Sequence, residues 1–212
     1  MHIADIFIEN GDDSIVMKPG WPQPHHTGTE GCTRNVVVER VTILRGMGAN
    51  IGGMGSGCVD NITFRDIDLQ RASLDGVYIK TENGKDNSSF ISNVLYDNVS
   101  FVASLNASGF PCVSISAAYR GDGHGYVGQY QPRISNISFH NLDLSGCSTP
   151  VTLECARSFP CINVSFDGVK TTRNFATNNT QCTAVAVRPG TATGCRSIGD
   201  DTDIAGAREM AV

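Results

Sequence analysis

The chain has 212 residues, of which only 17% are charged, with 23 glycines and a formal net charge of −5. That length suffices for one sizeable domain with a continuous core, and the glycine-rich, charge-poor composition suits strands and turns better than helices. The negative balance argues against nucleic acid as a bulk electrostatic partner, without excluding an acidic substrate held by a few local cations, and no apolar run approaches the ~20 residues of a membrane span.

The chain opens "MHIADIFIEN", without the basic stretch of a secretory leader. Next, "IENGDDSIVMK" (8–18) sets Asp12 and Asp13 side by side between two apolar runs. On a plain strand, neighbouring side chains point to opposite faces. The pair therefore marks either a solvated turn or a corner at which two acids converge. "PQPHHTG" (22–28) follows, and its Pro-flanked His25 and His26 read as loop rather than metal ligands, having no acid or Cys partner at suitable spacing.

Five further segments share one pattern: "NVVVERVTI" (35–43), "NITFRDIDL" (61–69), "NVLYDNVSF" (93–101), "NISFHNLDL" (136–144) and "NVSFDGVKT" (163–171). Counted from each Asn, positions 2, 4, 7 and 9 are largely apolar, with Thr171 departing at the last. Period two holds within each half and breaks between positions 4 and 7. Two short strands meeting at a corner give this pattern, whereas a helix needs spacings of three and four throughout. A second apolar strand follows each segment: "ANIGG", "GVYIK", "CVSIS", "PVTLE" and "AVAVR". Constant strands with variable connections describe a solenoid whose turns bury their apolar residues only by stacking. The predicted fold is all-β, a right-handed parallel β-helix over residues 1–195, with 196–212 as a C-terminal tail. A β-sandwich is the competitor, but its hairpins do not explain the repeated Asn and the repeated parity break.

The same register places Met1, Ile3, Ile6 and Ile8 at positions 2, 4, 7 and 9, so the chain begins inside a coil. The expectation is that the first coils, and a leader with them, are missing. In this register Gly11, Asp12 and Asp13 fall beside Gly46, Met47 and Gly48 one coil later. "DGVYIKT", with Tyr78 and Lys80, lies one coil further on. Gly11 is expected to supply the unusual backbone of a corner or bulge that aims both carboxylates to one side.

Eight cysteines and N-x-S/T sequons at Asn61, Asn87, Asn98, Asn106, Asn136, Asn163 and Asn178 suit a secreted, glycosylated protein. The pairs Cys155/Cys161 and Cys182/Cys195 could each close a loop, and no cysteine has zinc-ligand spacing. Two look-alike motifs read as loops: "GDGHGYVG" (121–128) falls after the lysine strand, in a long insertion between coils, and "IGDDTDI" (198–204) lacks a strand-turn-strand context.

"GDDSIVMKPGW", "RGMGANIGGMGSG" and "DGVYIKT" resemble three successive motifs of glycoside hydrolase family 28, the polygalacturonases and related pectinases. The resemblance runs from about residue 1 to about residue 145. It implies a secreted monomer that needs no cofactor, metal or membrane and hydrolyses pectin-type galacturonan with inversion, using three aspartates. Asp12 would be the general acid, and Asp13 would activate water with a third Asp from an Asn-Thr-Asp motif on a preceding coil. Inversion commonly sets acid and base ~6.5–9.5 Å apart to admit the water. Lys80 would bind a uronate carboxylate, and Tyr119 would border the sugar cleft.

The sequence departs from the family pattern in three ways. The third Asp is not in the chain. Met47 stands at the family histidine and can neither transfer protons nor donate a hydrogen bond. Tyr78 replaces the arginine of Arg-x-Lys, losing a bidentate carboxylate partner. "KPGW" resembles exo-acting relatives, which also lack parts of these motifs. The alternative is a non-catalytic β-helix that binds polysaccharide or serves structurally. A calcium-dependent pectate lyase is a third reading that the GDD context fits poorly.

Overall fold

A computed structural model describes residues 1–19, 31–71, 76–84, 87–102, 111–117, 119, 130–155 and 160–171, together with the backbone of 180–183 and 185–187. The strands are β1 (His2–Met17), β2 (Cys32–Met54), β3 (Cys58–Leu69), β4 (Val77–Thr81), β5 (Phe90–Phe101), β6 (Pro111–Ser116), β7 (Arg133–Asp143), β8 (Thr149–Glu154), β9 (Cys161–Asp167), β10 (Thr180–Thr183) and β11 (Val185–Val187). His25, His26, both look-alike motifs, Asn106, Asn178, the Cys182 and Cys195 side chains and the tail lie outside the described residues.

Every pairing between these strands is parallel. From β2 the ladder runs one way through β3, β5, β7, β9 and β11, and the other way through β4, β6, β8 and β10, with β1 paired to β2. The two rows are two faces of one coil, the right-handed parallel β-helix expected from the repeat. Sandwich hairpins would have made antiparallel pairs.

The parity break has a backbone cause. The Asn that opens each segment is left-handed: φ is 56° at Asn35, 55° at Asn61, Asn93 and Asn136, and 56° at Asn163. Five residues further on, Arg40, Asp66, Asn98, Asn141 and Gly168 are left-handed as well, and Asp5 takes this place in β1. One such residue bends the strand and resets which side chains face inward. Positions 2 and 4 (Val36 and Val38, Ile62 and Phe64) and positions 7 and 9 (Val41 and Ile43, Ile67 and Leu69) are accordingly all buried.

A left-handed residue with a side chain costs roughly 1–2 kcal/mol, least for Asn. Ladders of hydrogen bonds between coils offset this cost. Asn61 donates to Asn35 at 2.7 Å, Asn136 to Asn93 at 3.1 Å, and Asn163 to Asn136 at 2.8 Å. At the second corner Asn98 donates to Asp66 at 2.6 Å, and Arg40 grips Asp5 through two nitrogens. At about 0.5–1.5 kcal/mol net per bond, the ladders are of the size needed to hold the corners.

Position 4 forms a column through the core, in which Phe64, Tyr96, Phe139 and Phe166 stack at centroid spacings of 4.7, 5.4 and 4.6 Å. Those spacings match neighbouring strands, and each ring pair adds about 0.5–1.5 kcal/mol beyond its buried area. The Cys155–Cys161 loop is closed by a disulfide as expected. Cys32–Cys58 ties β2 to β3, and Cys112–Cys147 joins the coil of β6 to the turn before β8. These two bonds were not legible from spacing. Their partners are neighbours only because the coils stack.

Candidate functional site

β1 runs in register with β2 as far as Ile8↔Ile43, then slips. Glu9 pairs with Arg45 and Asp13 with Met47, so Asn10, Gly11 and Asp12 bulge opposite Gly46 alone. This corrects the expected register by one residue, because Met47 lies beside Asp13 rather than Asp12. It also moves the critical glycine. Gly11 stands in open space without a left-handed φ, whereas Gly46 has φ 137° and an added Cβ would meet Asn10 Oδ1 at 2.0 Å and Ser14 Oγ at 2.4 Å. The bulge answers why two neighbouring acids are tolerated in a strand: the ladder is interrupted just where they sit.

Within the bulge the two acids have different surroundings. Asp12 is exposed, and its Oδ1 accepts the Asp13 N–H at 2.8 Å. The Asp13 carbonyl accepts the Asn10 side-chain amide at 3.0 Å, while Ser14 donates to Asn10 Oδ1 at 3.1 Å. The Asp13 side chain is only 16% exposed and turns toward β4. There its carboxylate meets Lys80 Nζ, at 3.2 Å from Oδ1 and 3.1 Å from Oδ2.

Lys80 is itself buried, and its ammonium lies 5.3 Å from the Tyr78 ring centre and 5.2 Å from that of Tyr119. The rings meet edge to face at 5.8 Å. Opposite charges ~3 Å apart attract by about 5 kcal/mol at an effective dielectric near 20, before desolvation is subtracted. Each ring face offers about 0.5–2 kcal/mol. The carboxylate, more than the rings, fixes the ammonium. Lys80 pairs in register with Gly52, whose φ is 89° and where an added Cβ would strike the Lys80 carbonyl at 1.9 Å.

Of the residues singled out from sequence, Asp13, Lys80, Tyr78 and Tyr119 form one contiguous cluster, with Asp12 at the adjoining corner. Sequence reasoning missed Asn50. This fully buried residue donates from Nδ2 to Asp13 Oδ1 and accepts the Tyr78 N–H at 2.8 Å. The available signal was an amide inside the apolar run "ANIGG". Beneath it, burial pushes the Tyr96 phenol well above its ordinary range, and the hydroxyl donates to the Ala49 carbonyl at 3.1 Å. Among the described residues, no three His, Cys, Asp or Glu side chains group so as to hold a metal ion.

On this rim of the β-helix an exposed carboxyl adjoins a second carboxylate held by a cation, and carboxyl groups so placed can give and take protons; the cation lies beside two aromatic rings. The chain belongs to the glycosyl hydrolases family 28, whose family model matches residues 1–195. The match therefore continues past residue 145, where the motif resemblance faded. The chain is 22% identical over 197 residues to a protein of Aspergillus flavus that carries the name galacturan 1,4-alpha-galacturonidase A, covering 79% of this chain and 42% of that protein. It is 26% identical over 195 residues to a galacturan 1,4-alpha-galacturonidase C of Aspergillus niger (80% and 42%), and 25% identical over 214 residues to one of Neosartorya fischeri (87% and 46%). The chain thus spans less than half the length of these curated relatives.

Proposed function

We propose that this chain carries one side of the active groove of a secreted hydrolase that cleaves pectin-type galacturonan with inversion at the anomeric carbon. The observation that carries the reading is the Asp13–Lys80 ion pair, formed between residues of different coils, with Asp12 exposed at the same corner. In this reading Asp12 gives its proton to the glycosidic oxygen as the bond to the anomeric carbon breaks. Asp13 takes a proton from the water that attacks the opposite face, acting with a further carboxylate that the family resemblance assigns to a coil below β1. Lys80 has three N–H donors, and those not spent on Asp13 are available to a uronate carboxylate between the Tyr78 and Tyr119 faces. The names of the relatives support galacturonan as the substrate class, and the disulfides support an extracellular setting.

The test is reducing-end release from polygalacturonate by the native-length protein. Asp12→Asn should lower kcat by about 10²–10⁴-fold, the usual worth of a positioned acid or base. A protein that binds the polymer but never cleaves it would support the second reading, a polysaccharide-binding β-helix. That reading is favoured by Met47, which pairs with Asp13 where a proton-transferring histidine is expected. An unsaturated uronide product would point to lyase chemistry instead.

A further inference from the structure

We infer that Asn50 is the positioning residue of this site: it holds the Asp13 carboxylate in its working orientation and acts through it, without touching the sugar. The inference rests on the proposed role of Asp13. Asn50 is fully buried between Ala49 and Ile51, themselves fully buried, so no substrate reaches it. An amide in such a place is unfavourable unless both ends are paired, and here each end is paired to a different coil. Its Oδ1 accepts the Tyr78 N–H of β4, and its Nδ2 donates to Asp13 Oδ1 of β1. A backbone N–H can only donate, so the amide oxygen must face Tyr78. That fixes the flip of the amide and leaves the NH₂ end for the carboxylate.

The consequence for Asp13 is asymmetry. Oδ1 receives both Asn50 and Lys80, whereas among the described contacts Oδ2 receives Lys80 alone. Oδ2 is thus the oxygen with capacity left for a water. Rotation of the carboxyl group would break the Asn50 bond, and Asn10 holds the Asp13 carbonyl from the other side. The strand that carries Asn50 is pinned as well: the Ala49 N–H donates to the Gly76 carbonyl at 2.9 Å, and the Ala49 carbonyl accepts the Tyr96 hydroxyl.

Asn50→Asp separates the two bonds, keeping an acceptor for Tyr78 while turning an acceptor toward Asp13. In the native-length protein, kcat on polygalacturonate should fall 100-fold or more at neutral pH with KM changed less than threefold. It should recover in part in acid, where the introduced carboxyl is protonated and can donate. Asn50→Leu should lose kcat at every pH. If Asn50→Leu does not fold, Asn50→Asp at acid pH still decides. A residue that merely satisfied the Tyr78 N–H would leave kcat of Asn50→Asp within threefold of wild type throughout, and that result overturns the inference.

Carbodiimide labelling read by peptide mass spectrometry gives a measure independent of turnover. Asp13 should label several-fold faster in both variants while Asp143 does not change. Unchanged Asp13 labelling refutes the positioning role. Faster labelling in a protein whose wild type never hydrolyses the polymer supports the positioning role and refutes only the proposed hydrolase.

Discussion

The face built from β3, β5, β7 and β9 and the rim built from β1, β2 and β4 solve the same problem in opposite ways. Both must stack polar corners one strand spacing apart. On the regular face, like stacks on like: Asn136 donates to Asn93 and accepts from Asn163, and Phe139 lies between Tyr96 and Phe166. On the rim, unlike groups meet across coils, with Asp13 against Lys80 and Asn50, and Met47 beside Asp13. Repetition serves successive coils with recurring chemistry, an Asn amide on an Asn or Asp oxygen of the coil before. Breaking the repetition leaves charged groups whose partners are specific, and specific partners are what a chemical site requires.

The contrast can be broken first at the column. Phe139→Ala should cost about 3–5 kcal/mol by urea unfolding, because it opens a hole between two stacked rings. The rim should be less sensitive in stability. Lys80→Met keeps a chain that packs between the tyrosines but strands a partly covered carboxylate, and should cost about 1–3 kcal/mol. Adding Asp13→Asn to that variant should return part of the loss. A double variant no more stable than Lys80→Met alone would show that the pair is not the main coupling there.

The smallest effect lies at Glu39, which the Arg65 and Arg40 guanidiniums, with His2, hold down to about 2 from its ordinary 4.5. The folded state therefore binds fewer protons than the unfolded chain at this position. Its contribution is complete above pH 4.5 and is lost as pH falls from 4.5 to about 2. Glu39→Gln should flatten that acid limb of the stability profile. An unchanged limb would assign it to other carboxylates such as Asp143, which Ser145 and Lys170 also hold down to about 2.

Much of the scaffold was legible because its cause is local. An Asn at position 1 and a parity break before position 7 are direct imprints of two left-handed residues, and these recur in each coil. The cluster of Asp13, Lys80, Tyr78 and Tyr119 was legible one level up, once coils were stacked and the family motifs were matched. The register at Asp12 and Asp13 was misread by one residue because a bulge inserts chain without leaving a periodic mark. Gly11 looked like the necessary glycine, but the crowding falls on Gly46, whose neighbours Asn10 and Ser14 belong to another coil.

By itself the sequence determined the coil, its corners and its inward-facing residues, since each follows from period and local backbone preference, and with the family motifs matched it put the acids and the lysine on one rim. Only the tertiary structure decided which carboxylate Lys80 takes, that Asn50 joins them, and that Cys32 meets Cys58. The physical reason is that those contacts run between coils, where a slip of one residue changes every partner and leaves the hydrophobic pattern intact.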